Sequence, residues 1–272
     1  MTPPVPVFST PHGDLFHADC LDVLGALPGP PCVDMAFVDP PFNLAKPYGA
    51  WVDDAKSTAD YLAWLFLRLR LCVDLLVEGG SIFVYNLPRW NVLTGAMFEE
   101  MGLTFVNLIA VKETHGPPRK RGLYPSHYSL LQYSRGRPRV LHKLRVPIDT
   151  CRHCGGDVRD YGGHKGELKE GLTLSDMWMD VPSVRHAKYK ARGWKGPQLS
   201  TRLVRRCVLL ATNPGDLVLD PMAGSGVTPA VCEAEGRRWV ACEIGDAQII
   251  ADRMTVAPVP GHPAREWVEG ER

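Results

Sequence analysis

The segment Leu217-Val218-Leu219-Asp220-Pro221-Met222-Ala223-Gly224-Ser225-Gly226-Val227-Thr228 decides the fold. A short apolar run ends in an acid and breaks into a turn rich in glycine. Helical spacing then resumes from Thr228 to Glu235. Strand, glycine-rich turn and helix in that order form the βα unit of a doubly wound sheet, whose turn lets a ligand approach the backbone closely. The same grammar continues outward on both sides. Trp239-Val240-Ala241-Cys242-Glu243 is a further strand ending in an acid, while Leu199 to Leu210 predicts a helix and Asn213-Pro214-Gly215-Asp216 a turn.

Far upstream, Val33 to Asp39 is a buried strand stopped by Pro40-Pro41, which cannot continue a central strand. Apolar residues recur at helical spacing between Asp60 and Glu78, and Gly79-Gly80 is expected to close that helix. A strand follows at Ser81 to Asn86, then a helix from Trp90 to Met101 and a strand from Thr104 to Val111. This alternation is that of a parallel sheet with helical crossovers. Residues 112–195 break the rhythm with many Gly, Pro and basic residues, and are read as an insertion.

Two constellations carry chemistry. An acid at the end of the strand after a glycine-rich turn, here Glu243, suits the two hydroxyls of a ribose. No G-x-x-x-x-G-K-[ST] occurs, which argues against a triphosphate. Asp220 would repel a pyrophosphate but attract a ligand bearing an ammonium and a sulfonium, which is S-adenosylmethionine. The second constellation is Asp39-Pro40-Pro41-Phe42-Asn43. Alone it is an ordinary turn, but beside a methyl-donor site it acquires a mechanism. An exocyclic amine on adenine or cytosine is a poor nucleophile because its lone pair is delocalised into the ring. The Asp39 carboxylate and the Pro40 carbonyl would accept its two N–H groups, favouring a pyramidal nitrogen. Pro41 stiffens the pair, and Phe42 would stack on a base taken out of the helix.

Composition narrows the field. With 45% hydrophobic residues, 22% charged residues and a net charge of +1, the chain lacks the signature of disorder. No apolar run reaches the ~20 residues of a membrane span, and Met1 to Pro6 does not read as a secretory signal. A cytoplasmic protein without a membrane partner is expected. The small net charge conceals a segregation: residues 112–195 hold 18 Lys and Arg against 8 Asp and Glu. That basic segment, rich in Gly, Pro, Tyr and Trp, has the electrostatic footprint of a nucleic-acid surface. Within it Cys151 and Cys154 have the spacing of a zinc knuckle, but no second Cys-x-x-Cys exists, so no metal is assigned. His142, His153 and His164 are the residues that would complete such a site.

On these motifs the sequence resembles the S-adenosylmethionine-dependent DNA amino-methyltransferases in their β arrangement. Their catalytic [DNS]-P-P-[YFW] motif precedes the cofactor motif D-P-F-x-G-S-G-T-T, as Asp39 to Phe42 precedes Asp220 to Thr228; this chain departs at Met222 and Val227. The segment Gly13 to Cys20, the tract Leu123-Tyr-Pro-Ser-His-Tyr128 and the stretch from Cys151 to Tyr189 extend the likeness. The resemblance implies an α/β fold, a circularly permuted Rossmann-like methyltransferase sheet with an inserted basic target-recognition region. It divides the chain into a catalytic half (1–111), a target-recognition insertion (112–195) and a cofactor-binding half (196–272). It places the methyl donor against Asp19, Cys20, Asp39, Asp220, Pro221, Ala223, Gly224, Ser225, Gly226, Thr228 and Glu243. Double-stranded DNA would meet His127 and Tyr128 at the base, and Arg185, Lys188, Lys190 and Arg192 along the phosphates. The expected reaction methylates an exocyclic base amine, adenine N6 being favoured over cytosine N4 because the cytosine enzymes more often place serine where Asp39 stands. RNA or protein amide methylation is the competing enzymatic reading, and a DNA-binding module with a vestigial methyltransferase half the non-enzymatic one. A homodimer and a cognate restriction nuclease are the expected protein partners.

Overall fold

The computed structural model describes residues 4–26, 31–46, 53–113, 121–147, 153–154, 156, 171–184 and 189–255. Its N-terminal elements are β1 (Phe8–Ser9), β2 (Gly13–His17), α1 (Cys20–Leu24), β3 (Val33–Val38), α2 (Thr58–Leu75), β4 (Leu76–Asn86), α3 (Pro88–Glu100) and β5 (Thr104–Lys112). Then come β6 (His127–Ser134), β7 (Arg145–Val146), β8 (Leu172–Thr173), β9 (Met177–Trp178), α4 (Thr201–Ala211), β10 (Leu217–Asp220), α5 (Val227–Ala234), β11 (Arg238–Glu243) and α6 (Gln248–Thr255). Among the described residues one sheet runs in the order β1-β2-β11-β10-β3-β4-β6-β5-β9. Strands β2, β11, β10, β3 and β4 are mutually parallel, and β6 is antiparallel between β4 and β5.

Side-chain alternation along buried strands explains why both faces are covered. Met35 and Phe37 of β3 enter a core with α4, α5 and α6, through Val204, Val208, Val231 and Ile250. Ala36 and Val38 enter the opposite core with α1, α2 and α3, through Val23, Leu65, Leu69 and Phe98. The strand runs are therefore continuously apolar rather than alternating, as the sequence showed at 35–38 and 217–219.

The sheet joins the two ends of the chain. From β10 the chain moves through α5 to β11, and from β3 through α2 to β4, in opposite directions across the sheet. Adjacent β10 and β3 thus form a topological switch point, where a crevice opens beyond the carboxyl ends of the strands. Asp220 ends one of these strands and Asp39 follows the other. This is the permuted arrangement expected, with cofactor-half strands from the C-terminal region lying between β2 and β3.

Two expectations need correction. Helix α2 stops at Leu75 and the chain turns extended at Leu76, so Gly79-Gly80 sit inside β4 instead of ending the helix. The apolar run 75–77 suits either element and carries no period to separate them. The glycines serve the sheet: the register of β3 against β4 shifts between Val33 and Met35, and Gly79 has φ +75 with a virtual Cβ 2.7 Å from the Cβ of Arg139. Residues 112–195 are likewise not wholly an insertion. Their segment His127–Ser134 is β6, hydrogen-bonded on both sides within the main sheet. Leu130, Leu131 and Tyr133 of β6 are buried, and its short apolar stretch was masked by the basic residues around it.

Candidate functional site

A cleft of about 2090 Å³ lies over the switch point, lined by Asp39, Pro40, Pro41 and Phe42 on one side and by Asp220, Gly224 and Glu243 on the other. The catalytic candidates belong to a loop held from behind. Tyr61 of α2 donates its hydroxyl to the Pro41 carbonyl at 2.7 Å and accepts from Asn86 Nδ2 at 3.0 Å. Trp90 Nε1 of α3 donates to the Phe42 carbonyl at 2.9 Å. Past Phe42 the backbone enters the left-handed region at Asn43 and Ala45, both at φ 55. Asp54 makes that path tenable: its buried carboxylate accepts the backbone N–H groups of Asn43 (2.7 Å), Leu44 (3.0 Å) and Lys46 (2.9 Å). Asn43 itself exchanges two hydrogen bonds with the Lys56 backbone.

The consequence for chemistry lies in what this scaffold leaves open. The Pro41 and Phe42 carbonyls are engaged, whereas no group among the described residues donates to the Pro40 carbonyl or to the Asp39 carboxylate. Burial, and then the negative charge of Asp220, raise the Asp39 carboxyl well above the usual carboxylate range, with Lys46 opposing. A raised pKa makes an ionised Asp39 a stronger proton acceptor than an exposed aspartate. Beside it Phe42, Tyr85 and Tyr128 form a ring cluster, with Phe42 centroids 5.9 Å from Tyr85 and 5.3 Å from Tyr128.

The opposite wall is the glycine-rich turn. Gly226 has φ +73 and caps α5, and a Cβ there would lie 2.7 Å from Ile250 Cγ2, so only glycine fits between the turn and α6. Gly224 donates to Glu243 Oε2 and Gly245 to Glu243 Oε1, each at 2.6 Å. Burial raises the Glu243 carboxyl, and those two backbone bonds oppose the shift. Asp220 accepts from the Met222 backbone at 3.1 Å and from the Thr228 hydroxyl, yet burial pushes its pKa up to about 7. Pro221, Ala223, Ser225 and Thr228 also line the cleft, whereas Gly226 shapes the turn from beneath.

Asp19 and Cys20 line the cleft as expected, but the Asp19 carboxylate is already engaged on both oxygens. One caps α1 at Leu21 N (3.0 Å) and the other pairs with Arg68 at 2.6 Å. Burial pushes the Cys20 thiol up to about 12, leaving it an apolar wall. His127 is exposed and Tyr128 half-buried on the cleft's outer rim. Lys190 lines the cleft, but its ammonium donates to the Gly196 carbonyl at 2.7 Å. Arg192 is exposed outside the lining, and Arg185 and Lys188 lie outside the described residues, as do Cys151 and His164. His142 Nε2 meets Asn213 Oδ1 at 2.8 Å, and the described residues contain no metal-ligating cluster.

Several lining residues had no sequence signal. Lys46, Arg68 and Trp194 reach the cleft through loop paths and strand order that no local spacing reveals. Asp54 and Trp90 act through backbone groups, which leave no mark on residue type. Tyr85 alone had a signal, since it follows directly on the buried run of β4 at the end that faces the cleft.

Comparison with known proteins agrees with this geometry. A family model described as DNA methylase matches residues 33–251. The Type II methyltransferase M.BamHI of Bacillus amyloliquefaciens is 42% identical over 251 residues, covering 92% of this chain; the chain spans 58% of that protein's length. The DNA adenine methyltransferase YhdJ of Escherichia coli is 25% identical over 239 residues, covering 86% of this chain and 79% of that one. Among solved structures, the cytosine-N4-specific PvuII DNA methyltransferase superimposes with a TM-score of 0.67 at 17% identity, covering 95% of this chain and 91% of that one. TTHA0409 of Thermus thermophilus, a putative DNA modification methylase complexed with S-adenosyl-L-methionine, gives 0.58 at 20%, covering 89% and 94%. With the switch-point cleft, the Asp-Pro-Pro-Phe loop and the glycine-rich turn all inside the matched span, the chain belongs to the DNA methylase family.

Proposed function

We propose that this protein transfers a methyl group from S-adenosylmethionine to an exocyclic base amine in double-stranded DNA. One observation carries the reading. Among the described residues no group donates to the Asp39 carboxylate or to the Pro40 carbonyl, while the Pro41 and Phe42 carbonyls beside them are engaged. Two fixed acceptors suit the two N–H groups of an amine and nothing about a phosphate or a hydroxyl. The residues present also fit the donor: the turn runs through the left-handed region at Gly224 (φ +54) and Gly226 (φ +73), where glycine is favoured, and Asp220 and Glu243 on the cleft wall would face a cationic, ribose-bearing ligand.

S-adenosylmethionine, when bound, supplies an electrophilic methyl group. The protein's own contribution is position and proton acceptance. Asp39 and Pro40 turn the amine lone pair out of conjugation, and the Asp39 carboxylate takes the proton that the nitrogen loses on methylation. Phe42 and Tyr128 offer ring faces to the base, while Asp54, Tyr61 and Trp90 keep the acceptors from drifting. With aspartate leading the motif, adenine N6 is the first target named and cytosine N4 the second. A homodimer and a cognate nuclease belong to the same reading. Among the described residues, no helix is long and apolar enough to cross a membrane.

The full chain with labelled methyl donor and separate DNA, RNA and protein pools tests the proposal. Label is expected in DNA, and mass spectrometry of the hydrolysed product should show N6-methyladenine. N4-methylcytosine alone would move the target base, and label confined to RNA or protein would refute the DNA assignment.

A further inference from the structure

Tyr85 stands near the end of β4, one residue after Val84, whose partner on β3 is Val38; it is therefore level with Asp39. It is only 6% exposed, yet it lines the cleft. Its ring packs against both Phe42 and Tyr128, 5.9 Å and 5.5 Å away between centroids. The Tyr85 hydroxyl has no hydrogen-bond partner among the described residues. Burial, then the negative charge of Asp39 and its neighbours, push its pKa well above the ordinary value, so it stays a neutral O–H donor. The hydroxyl oxygen is not among the buried side-chain atoms left without a partner, so this donor opens on the cleft. Phenylalanine would make the same ring contacts but present no donor there, so the hydroxyl points to a ligand acceptor.

Resting on the amine-methylating reading above, we infer that the Tyr85 hydroxyl is a specificity-determining contact that donates to the ring nitrogen beside the amine-bearing carbon of the target base. Adenine N1 and cytosine N3 are bare acceptors at that place. Thymine and uracil instead present an N–H flanked by carbonyls. Asp39 and Pro40 would read the amine while Tyr85 reads the nitrogen next to it. Together they select an amidine edge over an amide edge, the kind of hydrogen-bond discrimination that leaves a wrong base with unpaired buried groups.

The experiment pairs Tyr85→Phe with deletion of the acceptor. Duplexes carry the sequence that the wild-type protein modifies, with the target base either intact or replaced by 1-deazaadenine, or by 3-deazacytosine where cytosine is the target. Wild-type kcat/KM is expected to fall roughly ten-fold on the deaza base. Tyr85→Phe should lose about as much on the intact base, keep its affinity for S-adenosylmethionine, and show no further loss on the deaza base. A wild-type protein indifferent to the deaza substitution overturns the inference without any variant, and so do equal deaza penalties in wild type and variant. Failure of the wild type to methylate any DNA base would instead refute the parent reading, and it would be seen before these duplexes are made.

Discussion

Among single residues, Asp39 and Asp220 are two acids in one cleft with different work. On the proposed reading Asp39 meets the reacting amine, so Asp39→Ala should lower kcat by on the order of 10²–10³-fold or more while the dissociation constant for S-adenosylmethionine stays within about two-fold. Single-turnover rates and equilibrium binding read the two separately, and an unchanged kcat would end the catalytic assignment. Asp220 makes a pH prediction. Its carboxyl, pushed from 3.8 to about 7 by burial, binds a proton more tightly folded than unfolded. Its contribution to stability is thus complete below pH 3.8 and is lost as pH rises through about 7. Relative to Asp220→Asn, the wild type should lose stability across that window by up to about 1.4 kcal/mol per pH unit, measured by denaturant melts. A cationic ligand prefers the ionised acid, so its affinity should rise with pH over the same range, and Asp220→Asn should flatten the rise.

At the scale of elements, the site is made by strand ends and by the turns that leave them. The turn after β10 returns into α5 over Ile250 of α6, with Gly226 at φ +73 and no space for a Cβ. Gly226→Ala should therefore destabilise the fold by roughly 1–3 kcal/mol, through a strained backbone and displaced Ile250 together. It should also weaken cofactor binding, because Gly224 and its bond to Glu243 share the turn. Thermal melting and titration calorimetry check both, and a variant as stable as the wild type would show that α6 gives way. The loop after β3 is the opposite device, a carboxylate taking three backbone N–H groups. The sequence announced the Asp-Pro-Pro-Phe loop but not its clamp, since Asp54 is joined to it only by the path of the folded backbone.

Across the whole molecule, charge segregation remains the argument for DNA: 18 basic against 8 acidic residues in 112–195 oppose an acidic remainder. Each phosphate neutralised should add about 0.9 to the slope of log affinity against log salt. Replacing Lys188 and Arg192 by Ala should flatten that slope and weaken binding to all sequences alike, because backbone contacts position without specifying. Lys190→Ala should behave differently. Its ammonium holds the Gly196 carbonyl, so the variant should also disturb the cleft wall and with it cofactor affinity. Fluorescence anisotropy at several salt concentrations separates these outcomes, and a wild-type slope in the double variant would reduce the pair to a solvated face.

By itself the sequence determined the βα alternation, the two motifs at strand ends and their order along the chain. All of these are local: an apolar run closed by proline or glycine and an acid is visible within ten residues or so. Only the tertiary structure decided that β10 lies beside β3, bringing Asp220 and Asp39 into one cleft from opposite ends of the chain. It also decided that Gly79-Gly80 bend a strand rather than end a helix, and that His127–Ser134 is a sheet strand within an otherwise basic stretch. Which carbonyls of the Asp39 to Phe42 loop are engaged was settled by long-range partners such as Tyr61 and Trp90, and among the described residues it leaves the Asp39 and Pro40 acceptors and the Tyr85 donor without one. Hydrogen-bond satisfaction depends on what the fold brings within 3 Å or so, and separation along the chain does not record it.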